Sequence, residues 1–283
     1  MPGGGEWLDR LPAIVRVCAE RWELRIGTPY EGGNVALALR VERADDTPAV
    51  LKINFPQPET EHEAEALGYW QGEGAACLLE RDDQRYALLV ERCDPGTQLW
   101  DVADEDEANR SAARVLARIW RPPPDPSPFG RLEDAAARWA EEISADWEAL
   151  GRPFERPILD VAVGALRELG PAQEELVVCH QDFHGGNVLR AAREPWLAID
   201  PKPLVGERAF DTASLLRDRR ESIVHDPRAR RRMRRRLDLL SSELGLDRER
   251  MRGWSIAHAL AWGVDESGVH EAHIECARLL MEA

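Results

Sequence analysis

A short polar segment in the second half of the chain has the residue types that phosphoryl transfer needs. Asp182 lies five residues before Asn187, and Asp200 follows Asn187 after 13 residues. Phosphoryl transfer requires a carboxylate that orients the attacking hydroxyl and accepts its proton, which Asp182 can supply. Because Mg²⁺ prefers oxygen ligands, the Asn187 amide and the Asp200 carboxylate are candidate metal ligands. Gly185 and Gly186 allow a tight turn between these groups.

The spacing of this segment is itself informative. His180, Asp182 and Asn187, followed by Asp200, have the spacing of the catalytic loop and metal-binding aspartate of protein kinases. Asp200 also ends a predicted short strand, 196–199. His180 is predicted to orient the loop by hydrogen bonding rather than to exchange protons.

Lysine use is unusual in this chain. Only two of the 37 Lys and Arg residues are lysines, Lys52 and Lys202. Because Arg takes nearly every other cationic position, a retained lysine indicates a place where a compact ammonium group is needed. The alternative, two ordinary surface lysines, stays open at this point. Neither lysine follows a glycine, since Leu51 and Pro201 precede them, which excludes a Walker A loop.

Other motifs are incomplete. The string Gly72-Glu73-Gly74 lacks the third glycine of a dinucleotide-binding fingerprint, because position 77 is Cys. Residues 253–257 nearly match a nucleophile elbow but lie in a predicted helix, which argues against a hydrolase. His270 and His273 have no third ligand nearby in sequence, so they are predicted to lie on a solvated helix face.

The composition indicates a globular, acidic protein. The chain has 283 residues, 43% of them hydrophobic, enough for the core of one large or two modest domains. Its net charge of −15 argues against general nucleic-acid binding and favours a cationic partner or substrate. No signal peptide and no run of about 18 apolar residues is visible. Five widely spaced cysteines predict free thiols in a reducing cytoplasm.

Hydrophobic periodicity predicts two parts of different character. Residues 1–93 are predicted to form an antiparallel sheet of strands 23–28, 35–43, 49–54, 76–80 and 86–92, with helices over 11–22 and 59–73. Residues 94–283 are predicted to be mainly helical, over 102–120, 131–150, 156–169, 209–220, 227–244, 248–263 and 269–281. Seven arginines in 228–236 predict an exposed, salt-bridged helix face. The fold class is therefore α+β, with a small five-stranded sheet lobe, one inserted helix and a short hinge to a larger helical lobe.

Two strings resemble the aminoglycoside phosphotransferase family, which has a bilobal protein-kinase-like fold: His180-Gln181-Asp182-Phe183-His184-Gly185-Gly186-Asn187 and Ile199-Asp200-Pro201. Three strings are most similar to its branch of streptomycin 6-kinases and hydroxyurea-resistance kinases: Val50-Leu51-Lys52-Ile53, Glu65-Ala66-Leu67-Gly68-Tyr69-Trp70 and Ile199-Asp200-Pro201-Lys202-Pro203. The resemblance covers nearly the whole chain, and the motifs come in the family's order.

The resemblance implies a role for each matching position. It makes Asp182 the catalytic base and Asn187 and Asp200 the ligands of Mg²⁺. It implies nucleotide contacts at Lys52, which would hold the α- and β-phosphates, at its helix partner Glu63, at the loop Gly32-Gly33-Asn34, and at the hinge residues Glu91 and Cys93. Glu61 and Glu65 remain alternatives to Glu63.

Two further positions are interpreted through the same resemblance. Protein kinases have Phe-Gly after the metal-binding aspartate, whereas Pro201-Lys202 follows here. Lys202 is predicted to lie near the transferred phosphate and offset its charge, the alternative being a lysine that only pairs with a local carboxylate. Asp211 matches the family aspartate that braces the catalytic loop.

The implied function is transfer of the γ-phosphoryl group of ATP, with GTP left open, to a hydroxyl of a small cationic acceptor, above all streptomycin. Hydroxyurea, sugars and choline-like alcohols remain alternative acceptors, and a catalytically silent nucleotide-binding protein remains an alternative function. A protein kinase is disfavoured, because fewer than ten residues separate Lys202 from Asp211, too few for a long activation loop. We expect a cytoplasmic monomer or weak dimer, with neither nucleic acid nor membrane as a partner.

Overall fold

The computed structural model describes residues 3–31, 35–173 and 175–283. Its contacts divide the chain into two units: residues 1–96 with 190–197, and residues 97–189 with 198–283. The division into functional lobes at 1–93 and 94–283 stays a prediction.

An antiparallel sheet of five strands forms the first unit, in the order β1-β2-β3-β5-β4. The elements are α1 (Gly4–Arg21), β1 (Arg25–Pro29), β2 (Ala36–Glu42), β3 (Pro48–Asn54), α2 (Glu63–Trp70), β4 (Leu78–Asp82) and β5 (Ala87–Glu91). Because strand side chains alternate between faces, Leu51 and Ile53 are fully buried while Lys52 lies on the opposite face of β3. The predicted five-stranded sheet with an inserted helix is confirmed.

The first helix is longer than its sequence pattern predicts. Leu11, Ile14 and Cys18 form one cluster with the buried residues of β3. The helix nevertheless begins at Gly4, and its first turns contact the unit through Trp7, whose ring packs edge-on against Phe55 with centroids 5.6 Å apart. Trp7 continues the helical spacing of Leu11 and Ile14, but Gly3-Gly4-Gly5 and Pro12 are poor helix formers, which explains why the predicted start was late.

The second unit is mainly helical. Its helices are α3 (Glu105–Ile119), α4 (Leu132–Ala149), α5 (Arg156–Leu169), α6 (Arg208–Asp211), α7 (Ala213–Leu216), α8 (Arg220–Val224), α9 (Ala229–Leu244), α10 (Arg248–Ala261) and α11 (Glu271–Met281). Its short strands are β6 (Gly130–Arg131), β7 (Leu176–Cys179), β8 (Val188–Leu189), β10 (Leu204–Glu207), β11 (Val264–Asp265) and β12 (Gly268–Val269). A further short strand, β9 (Leu197–Ala198), includes the last residue of the first unit and the next residue of the second. None of the helices in the described ranges is long and apolar enough to cross a membrane.

The continuous helix predicted over 209–220 is wrong. The chain forms the short helices α6 and α7, and α8 begins only at Arg220. Arg219 has a φ of 55°, in the left-handed region that an α-helix cannot include, so the helical path must break there. The sequence also gave no signal for β10, which pairs with β7 in antiparallel register and with β6 in parallel register.

The arginine-rich helix α9 is mostly an ion-paired surface, as its sequence suggests. Arg235 pairs with Asp106, and Arg232 pairs with Glu105 and Asp226. Arg236 departs from the prediction, because its side chain is buried and donates to backbone carbonyls as well as to Glu105.

Candidate active site

A buried carboxylate anchors the loop that contains the predicted catalytic residues. The backbone N–H groups of His180 and Gln181 donate to Asp211 at 2.9 and 2.6 Å. The indole N–H of Trp120 donates to the same carboxylate at 2.9 Å. Asp211 is completely buried, and burial raises its pKa to about 6. Through these hydrogen bonds Asp211, on α6, holds the first residues of the loop in place.

The His180 ring connects the loop to the residue before Asp200. Its Nε2 lies 2.9 Å from the carbonyl oxygen of Ile199, and burial lowers the pKa of His180 to about 4. The ring is therefore neutral near pH 7, and Nε2 donates because a carbonyl can only accept. The backbone N–H of Lys202 also donates to the His180 carbonyl, at 3.0 Å. Two hydrogen bonds thus hold residues 199–202 against the loop.

The two carboxylate oxygens of Asp182 have different surroundings. Oδ2 accepts a hydrogen bond and ion pair from the Lys202 ammonium group. Oδ1 accepts no hydrogen bond from the described residues, and lies 3.7 Å from Nε2 of His184. The side chain is 13% exposed, and because only Oδ2 accepts a hydrogen bond from the described residues, Oδ1 is the oxygen with capacity to accept from a ligand. This is the arrangement that a base needs to receive a substrate proton.

Asn187 and Asp200 provide the oxygens that the sequence assigned to a metal ion. The Asn187 side-chain NH₂ donates to the Asp182 carbonyl at 3.0 Å, which leaves the amide oxygen available as a ligand. The backbone N–H of Ile199, the residue before Asp200, donates to the Asn187 carbonyl at 2.9 Å. Asp200 has a φ of 58°, a left-handed conformation that costs a non-glycine residue about 1–2 kcal/mol.

A hard divalent cation fits this donor set. In the described part of the chain, no group of three or more His, Cys, Asp or Glu side chains lies close enough to hold a metal. A zinc-type cage is therefore absent from those residues. An amide and a carboxylate oxygen instead match Mg²⁺, which usually takes one or two protein ligands and completes its shell with phosphate oxygens and water.

In the first unit, Lys52 and Glu63 form a symmetric ion pair. The Lys52 ammonium donates to both carboxylate oxygens of Glu63 at 2.7 Å. Asn54 donates to the same carboxylate at 2.7 Å, and Glu63 is almost fully buried. Of the alternatives, Glu65 instead pairs with Arg81 at 2.6 Å. The structure therefore places the β3 lysine against Glu63 on α2.

The predicted hinge residues lie at the end of β5. The Glu91 carboxylate accepts hydrogen bonds from Arg193, at 3.1 and 2.8 Å, and from the Cys77 N–H at 2.9 Å. Although desolvation opposes it, these bonds hold the pKa of Glu91 below its usual value. The Cys93 thiol is buried, which raises its pKa to about 12, so it packs as an apolar group. The loop Gly32-Gly33-Asn34 lies outside the described residues.

Two residues beside the loop, Trp100 and Asp218, carry no recognisable signal in the sequence. Trp100 stacks on His184, Asp218 accepts a hydrogen bond from the Trp100 indole, and the ring of Trp262 lies 5.2 Å from the Lys202 ammonium. Trp254, in contrast, is fully buried and donates to Glu207, so it belongs to the core. No spacing rule in the sequence connects Trp100 or Asp218 to the loop, which lies more than 30 residues from each of them.

Comparisons with known proteins identify the relatives of this chain. A family model described as aminoglycoside/hydroxyurea antibiotic resistance kinase matches residues 21–271. A streptomycin 6-kinase of Streptomyces griseus is 39% identical over 266 residues, covering 93% of this chain and 86% of that protein. A hydroxyurea phosphotransferase of Kitasatospora aureofaciens is 37% identical over 281 residues, covering 94% of this chain and 77% of that protein. Among solved structures, the aminoglycoside phosphotransferase APH(3'')-Id of Streptomyces rimosus has a TM-score of 0.57 at 19% identity, covering 90% of this chain and 99% of its own, which supports the fold.

Proposed function

Because the chain belongs to the aminoglycoside/hydroxyurea antibiotic resistance kinase family, we propose that it transfers the γ-phosphoryl group of ATP to a hydroxyl of streptomycin. The observation that carries the proposal is the Asp182 carboxylate, with one oxygen held by Lys202 and the other open, in a loop anchored by Asp211. The likeness to streptomycin 6-kinases supports the choice of acceptor.

Asp182 would align the acceptor hydroxyl and receive its proton. The transition state of phosphoryl transfer is loose, so the protein contributes mainly by positioning the groups and neutralising charge. The Lys202 ammonium, already on Asp182 Oδ2, would also offset charge on the transferred phosphoryl group. Lys202 would therefore combine both interpretations of its sequence position: it pairs with a local carboxylate, and that carboxylate is the base.

Nucleotide and metal would be held by residues of the predicted set. Asn187 and Asp200 would bind Mg²⁺, which when bound neutralises phosphate charge. Lys52, fixed by Glu63, would contact the α- and β-phosphates of ATP, and GTP remains an alternative donor. Within the described residues, no hydrogen bond uses the backbone N–H or carbonyl of Cys93, which leaves both available for an adenine edge. The loop Gly32-Gly33-Asn34 and the hinge at Glu91, whose backbone N–H already donates to the Cys77 carbonyl at 2.8 Å, complete the proposed nucleotide contacts.

A panel of acceptors tests the proposal directly. Release of ADP should be fastest with streptomycin, slower with other aminoglycosides, and slowest with hydroxyurea, for which the 37% identical relative is named. For a cationic acceptor, KM should also rise with ionic strength, because salt screens its attraction to this acidic chain. Faster turnover of hydroxyurea, or a KM independent of salt, would establish the second candidate, a kinase of a neutral acceptor.

The Lys52–Glu63 pair gives a sharper test of the nucleotide site. Changing Glu63 to Gln keeps the shape of the side chain but removes the charge that fixes the ammonium group. A hydrogen bond to a charged group contributes about 1.5–3 kcal/mol, so kcat/KM for ATP should fall about 10- to 100-fold. The matched control is Glu65→Gln on the same helix, which loses the partly exposed pair with Arg81 and the longer contact with His62 and should stay within about twofold of wild type. Equal losses in both variants would remove the assigned role of Glu63.

We also propose that the enzyme acts in the cytoplasm as a monomer or weak dimer, on a small cationic substrate. All five cysteines are free thiols, and four of them are buried. That pattern supports a reducing compartment.

A further inference from the structure

Trp100 presents an aromatic surface beside the catalytic loop. The residue is 39% exposed, yet its ring is fixed on one side by stacking on His184, with centroids 5.0 Å apart and planes 11° from parallel. A Cβ at Gly185 would lie 2.6 Å from the Trp100 ring, so only glycine lets the loop approach the indole this closely. The exposed ring is therefore rigid rather than a mobile surface tryptophan.

Asp218 is a buried carboxylate without a cationic partner. It is 8% exposed, and its Oδ1 accepts hydrogen bonds from the Trp100 indole and from the backbone N–H of Arg219. No described Lys, Arg or His side chain lies within ion-pair distance of it, and Oδ2 accepts no hydrogen bond from the described residues. The Arg219 guanidinium does not compensate, because it donates to the carbonyls of Leu99 and Val102. A carboxylate this buried normally requires a cation.

The stacked rings of Trp100 and His184 lie beside Oδ1 of Asp182, the oxygen that accepts no hydrogen bond from the described residues. The Gly186 N–H donates to Nδ1 of His184 at 3.1 Å, so the hydrogen of the neutral ring is on Nε2. Nε2 lies 3.7 Å from Asp182 Oδ1. In space, the Trp100 indole therefore lies against the His184 ring, and the His184 ring lies next to Asp182, the proposed base. Asp218 is hydrogen-bonded to the indole.

We propose that Trp100 and Asp218 form a subsite for a guanidinium or ammonium group of the acceptor, a refinement that rests on the proposed phosphotransferase function. A planar guanidinium can stack on an indole and donate to a carboxylate at the indole's edge. With its cationic group in this subsite, the acceptor places its hydroxyl at Asp182 Oδ1, which the His184 ring separates from the Trp100 indole. The subsite selects cationic acceptors over neutral ones such as hydroxyurea, which have no charge to neutralise that of the carboxylate.

Two variants test the subsite against acceptors of different charge. Asp218→Asn keeps the oxygen that accepts from the indole and from Arg219 but removes the charge, and Trp100→Leu removes the aromatic face. In each variant we expect KM for streptomycin to rise about tenfold or more, with kcat within about threefold of wild type. KM for hydroxyurea, measured with the same variants, should change less than about twofold. Asp238→Asn, at an exposed site with the same change of net charge, is the control and should match wild type.

Binding measurements separate failure of the subsite from failure of the proposed function. Calorimetric titration of streptomycin into wild-type protein and both variants needs no turnover. If wild type binds streptomycin without phosphorylating it and both variants bind about tenfold more weakly, the subsite stands and the function falls. If streptomycin is phosphorylated and KM is the same in wild type and variants, the subsite is overturned and the function stands. Absence of any streptomycin binding by wild type overturns the subsite as well.

Discussion

The Asp182→Asn variant should lose about a thousandfold in kcat, within the about 10²–10⁴-fold that general base catalysis contributes. Asparagine has nearly the same shape, so it can still occupy the loop position and contact Lys202 through its amide oxygen. It cannot accept a proton from the acceptor hydroxyl. Because the variant still presents an oxygen to the hydroxyl, KM for streptomycin should change far less than kcat. Steady-state rates of ADP release at saturating ATP measure both quantities.

The control for this variant is Asp160→Asn on α5, where the carboxylate pairs with Arg156 at the surface. That substitution should leave kcat unchanged, since exposed pairs contribute little. Thermal unfolding of both variants checks that each is folded. A kcat for Asp182→Asn within tenfold of wild type, in folded protein, would show that this carboxylate is not the base.

Local pattern was sufficient for most of the sheet. In β3, Ala49, Leu51 and Ile53 alternate with residues of the other face, so the strand could be located and Lys52 placed opposite Leu51 and Ile53. The candidate catalytic loop could be proposed in the same way, because Asp182 and Asn187 lie five residues apart on one continuous segment. Such features depend on near neighbours in the chain, and their signal is therefore present in the sequence.

Features that depend on distant contacts were not predictable in this way. The break between α7 and α8 requires Arg219 to adopt a positive φ, and the Arg219 side chain reaches back to the carbonyls of Leu99 and Val102. The Trp100–Asp218 hydrogen bond joins residues 118 positions apart. Pairings at such separations are selected by tertiary packing, which no single-sequence periodicity reports.

A buried cation between two histidines forms a second polar cluster of the second unit. The Arg217 guanidinium donates to Nδ1 of His273 at 3.0 Å and to Nδ1 of His258. Burial lowers the pKa of Arg217 to about 10, so it remains charged below pH 8. A guanidinium can only donate, so both Nδ1 atoms must be unprotonated acceptors. Protonating either ring would replace an acceptor with a second cation facing the first.

The pKa values of the buried histidines follow from that arrangement. Burial, and then the charge of Arg217, lowers the pKa of His273 to about 3 and the pKa of His258 well below its usual value. Burial also lowers the pKa of His180 to about 4. Asp211 acts in the opposite direction, because burial raises its pKa to about 6. Between pH 6 and 4.5 the unfolded chain therefore binds three protons on these histidines that the folded chain does not, and the folded chain binds one on Asp211.

The free energy of unfolding should consequently fall steeply in mild acid. Stability decreases with acidification wherever the unfolded chain binds more protons, and a net difference of two protons corresponds to about 3 kcal/mol per pH unit. Urea unfolding at pH 7, 6 and 5 and constant ionic strength measures this slope. His273→Gln should be less stable at pH 7, because Arg217 loses a partner, yet its slope should be smaller by about 1.4 kcal/mol per pH unit. His225→Gln, at an exposed position, is the control for removing a histidine. A free energy that stays level or rises between pH 6 and 5 would mean that the buried rings gain protons in the folded chain, which the Arg217 hydrogen bonds do not permit.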